Sequence, residues 1–247
     1  MTKLPFYIGM ILSCFVKKAH DRHVLRGRVN CFLYRPQIAR FIKDAYGEKL
    51  VSVKFVRQNT PRRCVCLVND KYYVKIFKNM NPQKLKDFAF LVNYIRDFIS
   101  TPIPRVYIAK NNHMYATEKL SGKSIYDFDK NYVFANEDKI IKNVKEIIRQ
   151  MQAIDLSKIP NYEKYKYALE TTAKEIKSEE HITKDSVLTH FDTNEKNFLF
   201  DDDLNICGFI DFDSLALSND KNKDWEIFDK YWQKYKRRIE RLQKTTR

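Results

Sequence analysis

The stretch that most constrains this chain is Val187–Asp213, which reads VLTHFDTNEKNFLFDDDLNICGFIDFD. It sets a histidine, three polar residues of catalytic type and two strand-like runs in one short unit. Asp192 stands five residues before Asn197, and Asp211 follows Asn197 by fourteen, with apolar Phe198-Leu199-Phe200 and Ile206–Ile210 between them. The polar turn Asp201-Asp202-Asp203-Leu204-Asn205 joins those runs, which predicts a loop followed by a β-hairpin. In that arrangement Asn197 and Asp211 border the two strands and can converge on one cation, while Asp192 projects from the loop beside them. The acids at Asp201–Asp203 read as a solvated hairpin tip.

The residue types suit a particular chemistry. Hard Mg²⁺ takes oxygen ligands, here one carboxylate and one amide carbonyl, and fills its other positions with phosphate oxygens and water. A separate carboxylate can accept the proton of an attacking hydroxyl during phosphoryl transfer. His190-Phe191-Asp192 followed by Asn197 resembles the H-x-D-x-x-x-x-N catalytic loop of the kinase superfamily, and Ile210-Asp211-Phe212-Asp213 resembles its metal-binding segment. Gly208-Phe209-Ile210-Asp211-Phe212-Asp213 is similar to the pattern of the aminoglycoside phosphotransferase and choline kinase family, which lacks the protein-kinase glycine after its Phe. That resemblance implies that Asp192 is the catalytic base, that Asn197 and Asp211 are Mg²⁺ ligands, and that His190 braces the loop. It also implies a structural Asp after Asp213 that supports the catalytic loop, with Asp220 and Asp224 both open for the role.

Upstream, Pro36–Tyr46 carries Ile38, Phe41, Ile42 and Ala45 at helical spacing, with Gly47 as a stop. Three strand-like runs follow, Leu50–Val56, Cys64–Val68 and Tyr72–Phe77, joined by Arg57–Arg63 and by the turn Asn69-Asp70, which predicts a small antiparallel sheet. Alternation in the third run puts Tyr73, Lys75 and Phe77 on one face and Val74 and Ile76 on the other. A lysine inside an apolar strand is costly to bury unless it meets an anion; the plain alternative is an edge-strand lysine facing water. Tyr73-Val74-Lys75 is similar to the family's strand motif, in which the lysine reaches the nucleotide phosphates and the aromatic stacks on adenine.

Other parts depart from the kinase pattern. No G-x-G-x-x-G occurs, and the loop between the first two strands reads RQNTPRR; the resemblance implies a hydroxyl residue near the phosphates here, which makes Thr60 the candidate, while Arg62 and Arg63 read as surface residues, with phosphate contacts as the alternative. The helix predicted over Lys84–Ile99 has no Glu to pair with Lys75; Asp87 is the nearest carboxylate, either in that role or solvated. Thr101–Tyr107 resembles the entry to the next strand, and Met114–Leu120 the segment joining the lobes, so that backbone groups at Glu118–Leu120 would meet adenine. Helices are predicted over Asn136–Ala153, Tyr162–Ser178 and Trp225–Leu242, and Gln152 stands where the family commonly has His. Only one helix follows the catalytic hairpin, which shortens the part that builds the acceptor pocket in relatives.

The formal charge is +15, and residues 221–247 hold ten Lys or Arg against four acids. Such a balance favours anionic partners and says nothing of fold. The apolar run at 4–16 is too short to span a bilayer and has its positive flank behind it, unlike a secretory signal; it reads as a packing element, with peripheral membrane contact as the alternative. Five cysteines, Cys14, Cys31, Cys64, Cys66 and Cys207, lack C-x-x-C spacing and read as reduced thiols of a cytoplasmic protein, with no metal site expected.

The expected fold is therefore α+β, a bilobal protein-kinase-like architecture: residues 1–35 an extension, 36–119 a nucleotide-binding lobe with a small antiparallel sheet, and 120–247 a mainly helical catalytic lobe. The resemblance covers about residues 36–228. The expected function is Mg²⁺-dependent transfer of the γ-phosphate of ATP or GTP to a hydroxyl of a small molecule, with an aminoglycoside-type acceptor favoured. Choline, ethanolamine or sugar kinases, a nucleotide-binding pseudokinase, and a binder of nucleic acid or anionic membranes through the basic tail are the alternatives.

Overall fold

The computed structural model describes residues 8, 19–60, 63–79, 81–110, 113–175, 183 and 185–245, and divides into two compact units. The first comprises residues 1–90 and 105–119, the second 91–104 and 120–247. The apolar run at 4–16, apart from Ile8, and Arg62 lie outside the described residues.

The first unit is built on a five-stranded antiparallel sheet of order β1-β2-β3-β5-β4, with β1 Val53–Thr60, β2 Arg63–Val68, β3 Tyr72–Phe77, β4 Val106–Ile108 and β5 Met114–Glu118. The loop expected over Arg57–Arg63 is mostly strand, because β1 continues to Thr60, which pairs with Arg63. Asn69 and Asp70, at φ 52° and 55°, make the tight turn from β2 to β3; both residue types tolerate the left-handed region that such hairpin turns need. Asn69 also accepts the N–H groups of Val51 and Ser52, which fixes the approach to β1.

Among the described residues two full helices precede the sheet, α1 Ala19–Leu33, which the periodicity did not predict, and α2 Arg35–Tyr46. Pro36 sits in the first turn of α2, and Gly47, at φ 69°, closes it by donating to the Lys43 carbonyl. Buried Tyr34, Ile38, Phe41 and Ile42 pack with Cys64, Cys66, Val74, Ile76, Met114 and Ala116 into one core. Lys75, paired with Val65 and Tyr115, belongs to the opposite face, where the Phe88 ring of α3 (Pro82–Ile95) lies 5.3 Å from the Tyr115 ring.

The second unit carries α4 Lys130–Ala135, α5 Glu137–Gln152, α6 Tyr162–Glu175 and α7 Lys223–Thr245. In α5, Ile140, Val144, Ile147, Ile148 and Met151 are buried on one face, and in α7 Phe228, Trp232, Tyr235 and Ile239 are buried at helical spacing. Each such side chain withdrawn from water contributes about 1.5–3 kcal/mol. Trp232 and Lys236 of α7 both donate to the Glu137 carboxylate at the start of α5, at 2.7 and 2.9 Å, so the two amphipathic helices are also joined by polar contacts. The strands of this unit are short: β6 Lys123–Ser124, β8 Phe198–Phe200 and β9 Ile206–Phe209 form one sheet, and β7 Val187–Thr189 pairs with β10 Ala216–Ser218. Among the described residues no helix is long and apolar enough to cross a membrane.

Candidate active site

In the second unit the hairpin forms where the sequence places it. Asp201 organises the tip by accepting the N–H groups of Asp203 and Asn205, Asp202 and Asp203 are exposed, and Leu204 is fully buried at φ 57°. The tip is solvated except for Leu204, which anchors it in the core.

Strand β7 delivers fully buried His190 to the start of the polar loop. Its Nδ1 accepts the N–H of Asp192 at 3.2 Å. That bond fixes the tautomer, so Nε2 carries the proton and donates to the carbonyl of Ile210 at 3.2 Å. The imidazole also stacks on Phe209 at 4.4 Å and meets Phe212 edge-on. Both ring nitrogens are thus used on backbone, and the side chain joins the loop to the residue before Asp211.

Asp192 is half-buried. Asn194 Nδ2 donates to its Oδ1 at 2.7 Å, and Asn197 Nδ2 donates to its Oδ2 at 3.1 Å and to its carbonyl at 2.7 Å. These donors hold the carboxylate in one rotamer. With its nitrogen committed to Asp192, the Asn197 amide turns its oxygen the other way. Asn197 itself is held by the N–H of Ile210, which donates to its carbonyl at 2.9 Å. Asp211 comes next, at φ 67° and ψ 52°, opening a 3-10 turn over Phe212–Ser214. Asp192, Asn197 and the backbone leading into Asp211 are therefore one connected network.

Asp224 decides between the two carboxylates left open. It is fully buried and accepts the N–H groups of His190 and Phe191, both at 2.9 Å, and Thr193 Oγ1 donates to its carbonyl. Burial pushes its carboxyl up to about 7, against the pull of those donors. Phe191 stands at φ 58°, a strained conformation for a bulky residue that persists because its N–H is held. Asp220 instead accepts the N–H of Asn222 in the turn before α7. Gln152, in place of the expected His, donates to the Lys221 carbonyl at 2.7 Å in that same turn.

Two polar residues of the loop carried no readable signal beyond their type. Asn194 is one. The other is Glu195, only 4% exposed, whose Oε1 accepts the Tyr126 hydroxyl at 2.5 Å; Tyr126 lies 69 residues upstream, out of reach of any spacing argument. Burial and the Glu195 carboxylate push the Tyr126 phenol up.

In the first unit Lys75 lies in the middle strand and is 9% exposed, so the reading as an edge lysine in water is corrected: neighbours on both sides cover it. Its Nζ stands 5.5 Å from the centre of the Tyr115 ring. Asp87 is buried and accepts Gln83 Nε2 at 2.8 Å, which corrects the reading of a solvated residue. Tyr73, two residues before Lys75, is half-buried, as are Glu118 and Leu120. Thr60 ends β1; its side chain is outside the described residues.

No family model and no curated protein matches the sequence. Solved structures do match. Aminoglycoside 2'-phosphotransferase-IIIa in its GDP complex aligns over 77% of this chain and 76% of its own, at 14% identity and a TM-score of 0.52. The streptomycin–ATP complex of APH(2'')-IIa aligns over 76% and 73%, at 14% identity and 0.54. Macrolide 2'-phosphotransferase MphH from Brachybacterium faecium, as apoenzyme, aligns over 83% of both chains, at 14% identity and 0.51. The α+β fold of this chain is thus that of the kinase-like aminoglycoside and macrolide phosphotransferases.

Proposed function

We propose that this protein uses Mg²⁺ to move the γ-phosphate of ATP or GTP to a hydroxyl of a small molecule, with an aminoglycoside-type acceptor favoured. The observation that carries the reading is the Asp192–Asn197 pair: a carboxylate held by the amides of Asn194 and Asn197, with the Asn197 nitrogen, and so not its oxygen, committed to that carboxylate. Neighbours of the fold that hold GDP, ADP, ATP, streptomycin or gentamicin support the choice of reactants.

Asp192 accepts the acceptor's hydroxyl proton as the oxygen attacks, and the amides of Asn194 and Asn197 keep its carboxylate aimed. Asn197 and Asp211 offer hard oxygen donors of the kind that would hold magnesium, which when bound would neutralise charge at the phosphates. Lys75 binds phosphate oxygens, Tyr73 stacks on the base, and backbone at Glu118–Leu120 hydrogen-bonds it. Thr60 contributes a hydroxyl near the phosphates, and Asp87 takes the role of the helix Glu. Residues 36–119 thus serve nucleotide binding and 120–247 the chemistry, in the cytoplasm, where nucleotide is plentiful. The absent helix Glu favours a second reading, a nucleotide-binding pseudokinase.

The test measures nucleotide consumption with Mg²⁺ against aminoglycosides, choline, ethanolamine and simple sugars. Turnover with one acceptor, abolished in Asp192→Asn, bears out the proposal. Tight Mg-nucleotide binding without transfer to any acceptor selects the pseudokinase, and no nucleotide binding at all removes both.

A further inference from the structure

We propose that Cys31, Cys64 and Cys66 form a three-thiolate site for a zinc-class metal ion that fastens α1 to the sheet of the first unit. Cys31 comes from α1; Cys64 and Cys66 share one face of β2. The Sγ atoms of Cys31 and Cys64 are 3.6 Å apart, those of Cys64 and Cys66 3.9 Å, and all three lie within 4.8 Å of one another. Zinc–sulfur bonds of about 2.3 Å in a tetrahedron put sulfur atoms about 3.8 Å apart. The donors thus stand near the spacing of a filled site. The Gly27 carbonyl, 3.7 Å from Cys64 Sγ, is the oxygen donor available for the fourth position.

The packing of α1 gives a second, independent reason. Among the described side chains of this helix Gly27, Asn30 and Cys31 are buried, Val24, Leu25, Val29 and Leu33 are half-buried, and Phe32 is 74% exposed. None of those four aliphatic side chains is fully withdrawn from water, so hydrophobic burial holds α1 less firmly than a fully buried stripe would. Yet the helix sits close: a Cβ at Gly27 would fall 1.9 Å from the Phe55 ring. A metal held by one thiolate of α1 and two of β2 adds to that attachment. Cys64 and Cys66 are fully buried and Cys31 is 5% exposed, so an ion held by the three sulfurs is shielded from bulk water. The local spacing C-x-C conceals the site, because the third sulfur lies 33 residues upstream of Cys64. Binding a divalent ion displaces the thiol protons to solvent, so occupancy rises with pH.

The test uses the full chain purified under reducing conditions, with metal content read by mass spectrometry and cobalt(II) added to metal-stripped protein. The expected result is about one zinc per chain, at least a fivefold loss of metal in Cys64→Ala and in Cys31→Ser, and unchanged content in Cys207→Ala. Cobalt should give intense near-ultraviolet thiolate-to-metal absorption, and chelation should lower Tm by several degrees. Wild-type protein that carries no metal and shows no such absorption with cobalt overturns the proposal, as does metal content equal in wild type and Cys64→Ala. The cobalt titration of the unaltered chain decides the question even if the cysteine variants fail to fold.

Discussion

The carboxylate of Asp224 reaches back 34 residues to accept the backbone N–H of His190, and its other oxygen takes the N–H of Phe191, each at 2.9 Å. One side chain on the first turn of α7 thereby sets the backbone of the loop that presents Asp192. In Asp224→Ala both donors stay buried without an acceptor, at about 1–3 kcal/mol each. We expect a loss of about 2–5 kcal/mol in urea unfolding, larger than for Asp220→Ala; equal, small losses in the two variants would contradict this account of the loop.

Asp192→Asn keeps the shape of the side chain and removes the carboxylate proposed above as the proton acceptor. Phosphate transfer should fall by about 10²–10⁴-fold, with nucleotide affinity changed less than threefold. A variant that retains wild-type turnover on its acceptor would show that another group takes the proton.

His190→Phe preserves stacking on Phe209 and loses both hydrogen bonds, to the Asp192 N–H and the Ile210 carbonyl. Two neutral bonds to backbone are worth about 0.5–1.5 kcal/mol each. We therefore expect a destabilisation of about 1–3 kcal/mol, together with weaker binding of Mg-nucleotide, since Asp211 follows the released carbonyl. Calorimetric titration with and without Mg²⁺ measures the second effect.

At the junction of α5 and α7, Glu137 loses charge stability to partial burial but gains more from the Lys236 ammonium and the Trp232 N–H, which hold its carboxyl below the ordinary range. The sign follows from linkage: a depressed folded value contributes stability above the unfolded value of about 4.5 and loses it as pH falls through the folded value. Glu137→Gln should thus be less stable than wild type at neutral pH, and the gap should close in acid. Denaturation midpoints across that range check it; a gap independent of pH would refute it.

Gly27→Ala tests the close approach of α1. The added methyl meets the Phe55 ring, and overpacking of this kind costs about 1–3 kcal/mol. Unchanged Tm in that variant would show that the helix can shift without loss.

How much was legible in the sequence varies with the range of the interaction. The hairpin, the α2 stop at Gly47, the Asn69-Asp70 turn and the face carrying Lys75 were readable, because turn chemistry and side-chain period act over a few residues. The order and spacing of His190, Asp192, Asn197 and Asp211 were readable for the same reason. Helix α1 escaped, since the described positions that it buries most fully, Gly27, Asn30 and Cys31, are small or polar. The choice of Asp224 over Asp220, the Tyr126–Glu195 bond and the meeting of Cys31 with Cys64 and Cys66 join positions tens of residues apart. No local pattern encodes such pairs; they exist only once the chain has packed and buried polar groups have had to find partners.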